Sequence, residues 1–488
     1  MSASRRSGAL WLCAGVVAAL ALLASACATP TPRVVEKIVE QTVIVERTVI
    51  VERTVEKVVT ATPAPTNTPA PVTIVWWTDP IYQNPRTQPQ LGGALGAYER
   101  NIAAEYMRAN PHVKVEVVAM EWADLAQKAP AAIAAGNPPD IMKDYLARSA
   151  GYAYQGLLVD LRPLLPKDVL DDIWPGLLKL YTINGQLHAM PAYFWEQHLI
   201  YNRAALDAAG LLDSVPPADA PDWTFDDFYA LGKAIKGKAG IEYLYGMQVA
   251  SELSDYAAQA FIWGAGANVW KSDCSGLDLN NPKALAGLEF LNTLYQEGLI
   301  NKDAPSAGIQ DVDNLLFAGK ALSMAGGLYQ QGPAVEIARR EGRIKAPLDL
   351  QMALYPHAKS ERTAGLAVGP TGFFVFQKRD RTEAQLAEIV KFLLYINGEK
   401  WLRDGCINSG QLPARRSVGA PLAGDAAYEQ ALRWVQTYGV SSMGLECRGA
   451  GQVRSAMPAF LQAMFLKKMT PQEAAEGMVK KAAEIMQK

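Results

Sequence analysis

Beyond residue 71 the chain alternates two patterns: short runs of β-branched and aromatic residues, and longer stretches whose apolar positions recur every three or four residues. Residues 73–77 (TIVWW) read as a strand that opens into a loop at Thr78-Asp79-Pro80. Residues 92–110 carry Leu95, Tyr98, Ile102 and Tyr106 at helical spacing and stop before Pro111. A strand at 114–118, a helix at 125–135 and a strand at 140–143 complete a β-α-β-α-β rhythm, which implies a parallel sheet. Ligands of such sheets collect at the carboxyl ends of the strands. The residues just past those ends are therefore candidates for ligand contact: Trp76, Trp77 and Asp79, then Glu121 and Trp122, then Asp144 and Tyr145.

The pattern changes at 183–202, INGQLHAMPAYFWEQHLIYN. Asn184-Gly185 is a hairpin signal, because both residues tolerate positive φ. Pro191 removes a ladder donor in mid-run, which is tolerated at an edge, a bulge or a crossing between units. The aromatic knot Tyr193, Phe194 and Trp195 follows at once with Glu196 beside it, where the chain leaves one lobe for another. Pro191 is expected to mark where the sheet is left. Further on, Thr224 is placed to cap a helix whose first turn holds Asp226 and Asp227. Residues 315–329 read as a helix and a strand followed by Gly326 and Gly327, which let backbone come close.

Composition narrows the class. With 488 residues, 50% hydrophobic and 20% charged, the chain can build two or more cores. Arg5-Arg6, an apolar run over 9–24 and small residues before Cys27 form a signal peptide, 1–26. The sequence Leu-Leu-Ala-Ser-Ala-Cys resembles a bacterial lipobox, with Cys27 as the lipidated residue. Without Arg5 and Arg6 the chain has 45 basic against 49 acidic residues, no field for nucleic acid. Residues 27–71 contain TVIVER twice in succession and then a Pro/Thr-rich linker, read as an extended tether. Among the cysteines, Cys406 and Cys447 are the expected disulfide, because both sit in glycine-rich loops; three free thiols are the alternative, with Cys274 the third.

Several motifs in order resemble those of the family-1 extracellular solute-binding proteins, the maltose-binding-protein-like receptors of ABC importers. Residues 136–161 carry Pro139-Asp140, then Gly156, Leu157 and Asp160-Leu161. Trp223-Thr224-Phe225-Asp226-Asp227-Phe228 resembles a family helix start, with Trp displaced. Residues 261–267 with Trp263 and Trp270 resemble a glycine-rich turn, and 315–329 resemble F-x-x-G-K-A-A-M-x-x-x-G-x-W, with Tyr329 in place of Trp. Residues 411–418, QLPARRSV, resemble G-x-(L/I)-P-x-R-x-S-V. The resemblance spans 72–488. It implies an α/β, two-lobed, periplasmic-binding-protein-like fold (type II) with three interlobe crossovers and the ligand cleft between the lobes. The crossovers are expected at 191, 366–376 and 411–418, giving one lobe from 72–190 plus 372–412 and the other from 191–371 plus 413–488.

The chemistry fits binding rather than turnover. His112, His188, His198 and His357 are scattered without metal spacing, and no nucleophile elbow, H-E-x-x-H or P-loop occurs; no metal and no cofactor are expected. Asp79, Glu121, Asp144 and Glu196 leave open a surface carbohydrate-active enzyme. Aromatics with acids and amides suit a carbohydrate, whose C–H faces lie on rings while its hydroxyls pair with polar groups. The expected ligand-binding set is Trp76, Trp77, Asp79, Glu121, Trp122, Asp144, Tyr145, Trp195, Glu196, Trp263, Gly326, Gly327, Tyr329 and Arg415. The resemblance further implies a monomer outside the cytoplasm, anchored by lipid and delivering a small solute, sugar or otherwise, to an ABC permease.

Overall fold

The computed structural model describes residues 70–80, 87–217, 222–250, 254–361, 366–441 and 444–487, without the side chains at 122–123, 328–333 and 367. The signal peptide, Cys27 and all but the last two residues of the tether lie outside the described residues.

The first lobe opens with β1 (Val72–Thr78), α1 (Ala97–Ala109), β2 (Val113–Ala119), α2 (Trp122–Ala134) and β3 (Ile141–Tyr145). As the periodicity predicts, β1 lies between β2 and β3, parallel to both. Asp140 enters β3 as a buried tie: its carboxylate accepts from the Val75 amide at 2.9 Å and from Arg381 at 2.6 Å. Next come α3 (Leu146–Tyr154), α4 (Lys167–Asp172), α5 (Pro175–Leu180) and the hairpin β4–β5 (Thr182–Ile183, Gln186–Leu187). The hairpin turns on Asn184 and Gly185, both at positive φ (52° and 81°), as a two-residue turn between right-twisted strands requires.

The chain then enters β6 (Met190–Asn202), the longest strand and the one on which both lobes depend. The second lobe continues through α6 (Arg203–Ala209), α7 (Phe225–Ile235), β7 (Tyr243–Gly246), α8 (Ser254–Gly264), α9 (Pro282–Gln296), α10 (Ile309–Phe317), β8 (Ala321–Gly326), α11 (Leu328–Arg340) and β9 (Leu350–Ala353). Thr224 and Asp227 form a reciprocal capping box at α7. The chain returns along β10 (Leu366–Val375), α12 (Glu383–Ile396), α13 (Glu399–Ser409), β11 (Leu412–Pro413), α14 (Ala426–Tyr438) and β12 (Val440–Ser441), and ends with α15 (Ala450–Phe465) and α16 (Pro471–Met486).

One continuous path, β2-β1-β3-β10-β6-β8-β7, joins the lobes. The register of β6 shows how. From Met190 to Gln197 it pairs with β10, and from His198 to Asn202 it pairs with β8 and β9. Accordingly, Phe194 belongs to a first core with Ile74, Trp76, Phe374 and Trp401, while Leu199 belongs to a second with Phe228, Phe261, Met457 and Met478. Pro191 is therefore not where the sheet is left; it sits opposite Gly372 beside a bulge that absorbs its missing donor. The crossing falls after it, at residues 195–198.

The other crossings also differ from expectation. β10 is back in the first core at Leu366, and residues 413–441 stay there, with Ala414, Tyr428 and Trp434 packed among its side chains, as is Leu445. Cys447 is already in the second core, so the third crossing follows β12. The strands that adjoin the three crossings lie side by side: Val368 of β10 pairs with Glu196, and Leu366 pairs with Val440.

The disulfide joins Cys274 to Cys447, Cα atoms 5.2 Å apart, and the expected Cys406–Cys447 pair does not form. Cys406 is on α13, turned into the first core, and burial pushes its thiol pKa up. Helical packing holds it in one lobe while Cys447 belongs to the other.

Candidate functional site

Where β3 ends, Lys143, Asp144 and Tyr145 run directly into α3, which brings Arg148 one helical turn beyond Asp144. Arg148 donates twice to the Asp144 carboxylate, at 2.5 and 2.6 Å, and its guanidinium lies 4.5 Å from the Tyr145 ring centre. Burial pushes the Asp144 carboxyl up to about 6; Arg148 pulls it back and Asp79 adds to the rise. Beside this group Lys143 stands 3.3 Å from Asp79 at the end of β1. Burial likewise raises Glu99, with Lys143 opposing the rise.

The second lobe presents the same three residue types. α8 is buried on every face, and its first turn holds Asp255 and Tyr256. Arg454 of α15 donates to Asp255 at 2.5 and 3.1 Å, and its guanidinium lies 4.8 Å from the Tyr256 ring centre. Burial opposes the charge on Arg454, and Asp255 outweighs it. In both sets the tyrosine amide also donates to the preceding aspartate, at 2.8 Å for Tyr145 and 2.9 Å for Tyr256.

Beside the second set stands Trp195. Its ring centre is 4.9 Å from that of Tyr256, and the two cluster with Trp263. Gly369, its partner on β10, leaves room for the indole: a Cβ there would lie 2.0 Å from the ring. A Cβ on Gly451 of α15 would stand 3.9 Å from the Tyr145 hydroxyl, so α15 approaches the first lobe's set. Aromatic rings with locked charges behind them, contributed by both lobes and one crossing strand, are the chemistry that suits a small polar ligand with apolar faces.

Of the expected contact residues, Asp144, Tyr145, Trp195 and Trp263 belong to this arrangement, with Asp79 next to it. Trp77 packs partly buried on the first core. Trp76 is only 2% exposed and meets Phe373 and Phe392 edge-on; alternation along β1 turns it into the core. Glu196 is also misplaced. As the next residue on a strand it faces opposite to Trp195, buried 3.4 Å from His198, whose ring lies 5.7 Å from Trp434. Arg415 is held within the first lobe by Asp172 at 2.7 Å and by the Asn397 carbonyl. Glu121 is exposed before α2, off the edge strand β2, and Trp122 is the first residue of α2. Gly326 ends β8 opposite His198, and Gly327 caps α11 in extended backbone rather than at positive φ; Tyr329 is the second residue of that helix. The side chains of Trp122 and Tyr329 are outside the described set. Asp255, Tyr256, Arg454, Arg148 and Gly369 were not anticipated. The Asp-Tyr dipeptide at both 144–145 and 255–256 was a usable signal; the position of Arg454 had none.

The fold is two-lobed, and the candidate site lies by the strands through which the lobes are joined. A profile of the bacterial extracellular solute-binding proteins matches residues 90–401, and the chain belongs to that family. It is 24% identical over 344 residues to the diacetylchitobiose binding protein DasA of Streptomyces coelicolor, covering 70% of this chain and 75% of that one. It is 27% identical over 141 residues to an uncharacterized lipoprotein of Streptomyces antibioticus, spanning 29% of this chain and less than a third (31%) of that one. In structure it is similar to a cyclic alpha-maltosyl-1,6-maltose binding protein from Arthrobacter globiformis, with a TM-score of 0.67 and 19% identity, covering 86% of this chain and 99% of the other. The relatives named by function are binding proteins rather than enzymes.

Proposed function

We propose that this protein captures a neutral carbohydrate between its lobes and hands it to the membrane permease of an ABC importer, working as a monomer held to the cell membrane by lipid on Cys27. The reading rests on one observation above all: among the described residues, the cations of the site already face carboxylates, Arg148 with Asp144, Arg454 with Asp255 and Lys143 with Asp79. A charged ligand would break a pair, whereas a neutral sugar places its C–H faces on Trp195, Tyr256 and Tyr145 and its hydroxyls on the fixed polar atoms. The named relatives, one binding diacetylchitobiose and one a cyclic maltosyl-maltose, support the same class. Closure follows from differential contact, since a ligand touches both lobes only when they are together. Calorimetry and small-angle scattering with diacetylchitobiose, maltotriose and lactose, against glucuronic acid and glucosamine, test it. A neutral sugar should bind and compact the protein; compaction by a charged sugar alone, or by none, refutes the reading. The same assays should recover the sugar unchanged, because Asp144 is tied to Arg148 and Glu196 faces away from Trp195.

A further inference from the structure

The third crossing is anchored at both ends. On the first-lobe side, β12 pairs with β10, and a Cβ on Gly176 of α5 would lie 2.5 Å from a Val440 methyl. On the second-lobe side both anchors belong to one loop: Trp270 lies so close on Gly444 that a Cβ there would be 2.1 Å from the indole, and Cys274 is bonded to Cys447. That loop closes through the Trp270–Leu277 bridge, and Cys274 holds left-handed backbone, φ 59°, a region that L side chains seldom adopt. Just beyond Cys447, α15 carries Gly451 toward Tyr145 and Arg454 to Asp255.

We infer that the Cys274–Cys447 bridge is a thiol-exchange site that limits the length of the third crossing, so that a dithiol reductant frees the entry to α15 and loosens the cleft. This rests on the proposed capture between lobes. Access is built in: a cavity of about 280 Å³ between α5 and the loop is lined by both cysteines together with Gly176, Lys179, Trp263 and Trp270, and so adjoins the aromatic cluster. A reductant thiolate attacks the half-buried Cys274 sulfur; the S–S bond breaks, and its electron pair leaves on Cys447, which takes a proton. The reagent's second thiol then attacks the mixed disulfide, releasing Cys274 as a thiol and leaving the reagent as a cyclic disulfide. Two electrons and two protons pass to the protein.

The test uses the intact protein with and without dithiothreitol. Native alkylation should label Cys274 and Cys447 only after reduction and leave Cys406 unlabelled until denaturation, while tryptic cleavage at Lys271 and Arg448 accelerates about tenfold. Whichever of diacetylchitobiose, maltotriose or lactose binds the oxidised protein should bind the reduced protein about three- to tenfold more weakly, and the Cys274→Ala/Cys447→Ala variant should behave as reduced without reductant. Reduction with unchanged cleavage and unchanged affinity overturns the inference, as does a Cys406–Cys447 bond in the native protein. If none of the sugars binds the oxidised protein, the capture reading fails, while alkylation and cleavage still decide the role of the bridge.

Discussion

The two Asp-Tyr-Arg sets of the cleft have the same composition and are assembled by opposite means. In the first lobe the end of β3 and the first turn of α3 supply all three residues, so the local chain sets their geometry. In the second, Arg454 reaches Asp255 across 199 residues, and only the packing of α15 against α8 brings them together. Their surroundings differ as well: the side chain of Arg148 is 16% exposed, against 7% for Arg454, and both aspartates are fully buried. The local set can therefore adjust one partner at a time, whereas the distant set is a fastening of the lobe itself.

Breaking the distant pair should have the largest effect. Arg454→Ala leaves a buried carboxylate alone and should cost about 3 to 5 kcal/mol in urea unfolding, against about 1 to 3 for Arg148→Ala, whose site is wetter. Equal losses would erase the contrast. Asp144 gives the next effect. With its pKa raised from 3.8 to about 6 in the native state, the stability it contributes is fully present below about 3.8 and is lost as pH rises through about 6. The difference in unfolding free energy between wild type and Asp144→Asn should therefore change by up to about 3 kcal/mol between pH 4 and 7, and a flat difference would show the carboxyl to be unperturbed. Trp195→Ala, beside the second set, should weaken sugar binding about thirtyfold in calorimetry with little change in melting temperature, whereas Trp76→Ala should lower the melting temperature sharply. Tyr145→Ala and Tyr256→Ala should each weaken binding about tenfold; an effect from only one would mean that the ligand leans on one lobe. Gly369→Ala, which displaces the indole without removing it, should cost about fivefold.

Much of the first lobe could be read from periodicity. β1, α1, β2, α2 and β3 fall where alternation and helical spacing put them, because each element is specified by its own residues facing one core. Asp144 and Tyr145 were expected as contacts from the rule that ligands collect at strand ends. Trp76 did not obey it, since period-two alternation turns adjacent tryptophans to opposite faces and only the packed sheet shows which face holds Phe373 and Phe392. The same alternation separates Trp195 from Glu196. Motif order announced three crossings, but their positions depend on which core each apolar residue joins, and α14, amphipathic like its neighbours, joins the first.

The amino-acid sequence on its own determined the class of this protein: α/β units in the order of a solute-binding protein, and an aromatic stretch at 193–195 where the chain passes between the lobes. These depend on local propensity and on short motifs, which each segment carries with it. Tertiary structure alone decided which groups meet: Cys274 with Cys447 rather than Cys406, Arg454 with Asp255, and Trp195 seated on Gly369. Such contacts join segments far apart in the chain, and their partners are chosen by the packing of whole elements rather than by the residues beside them.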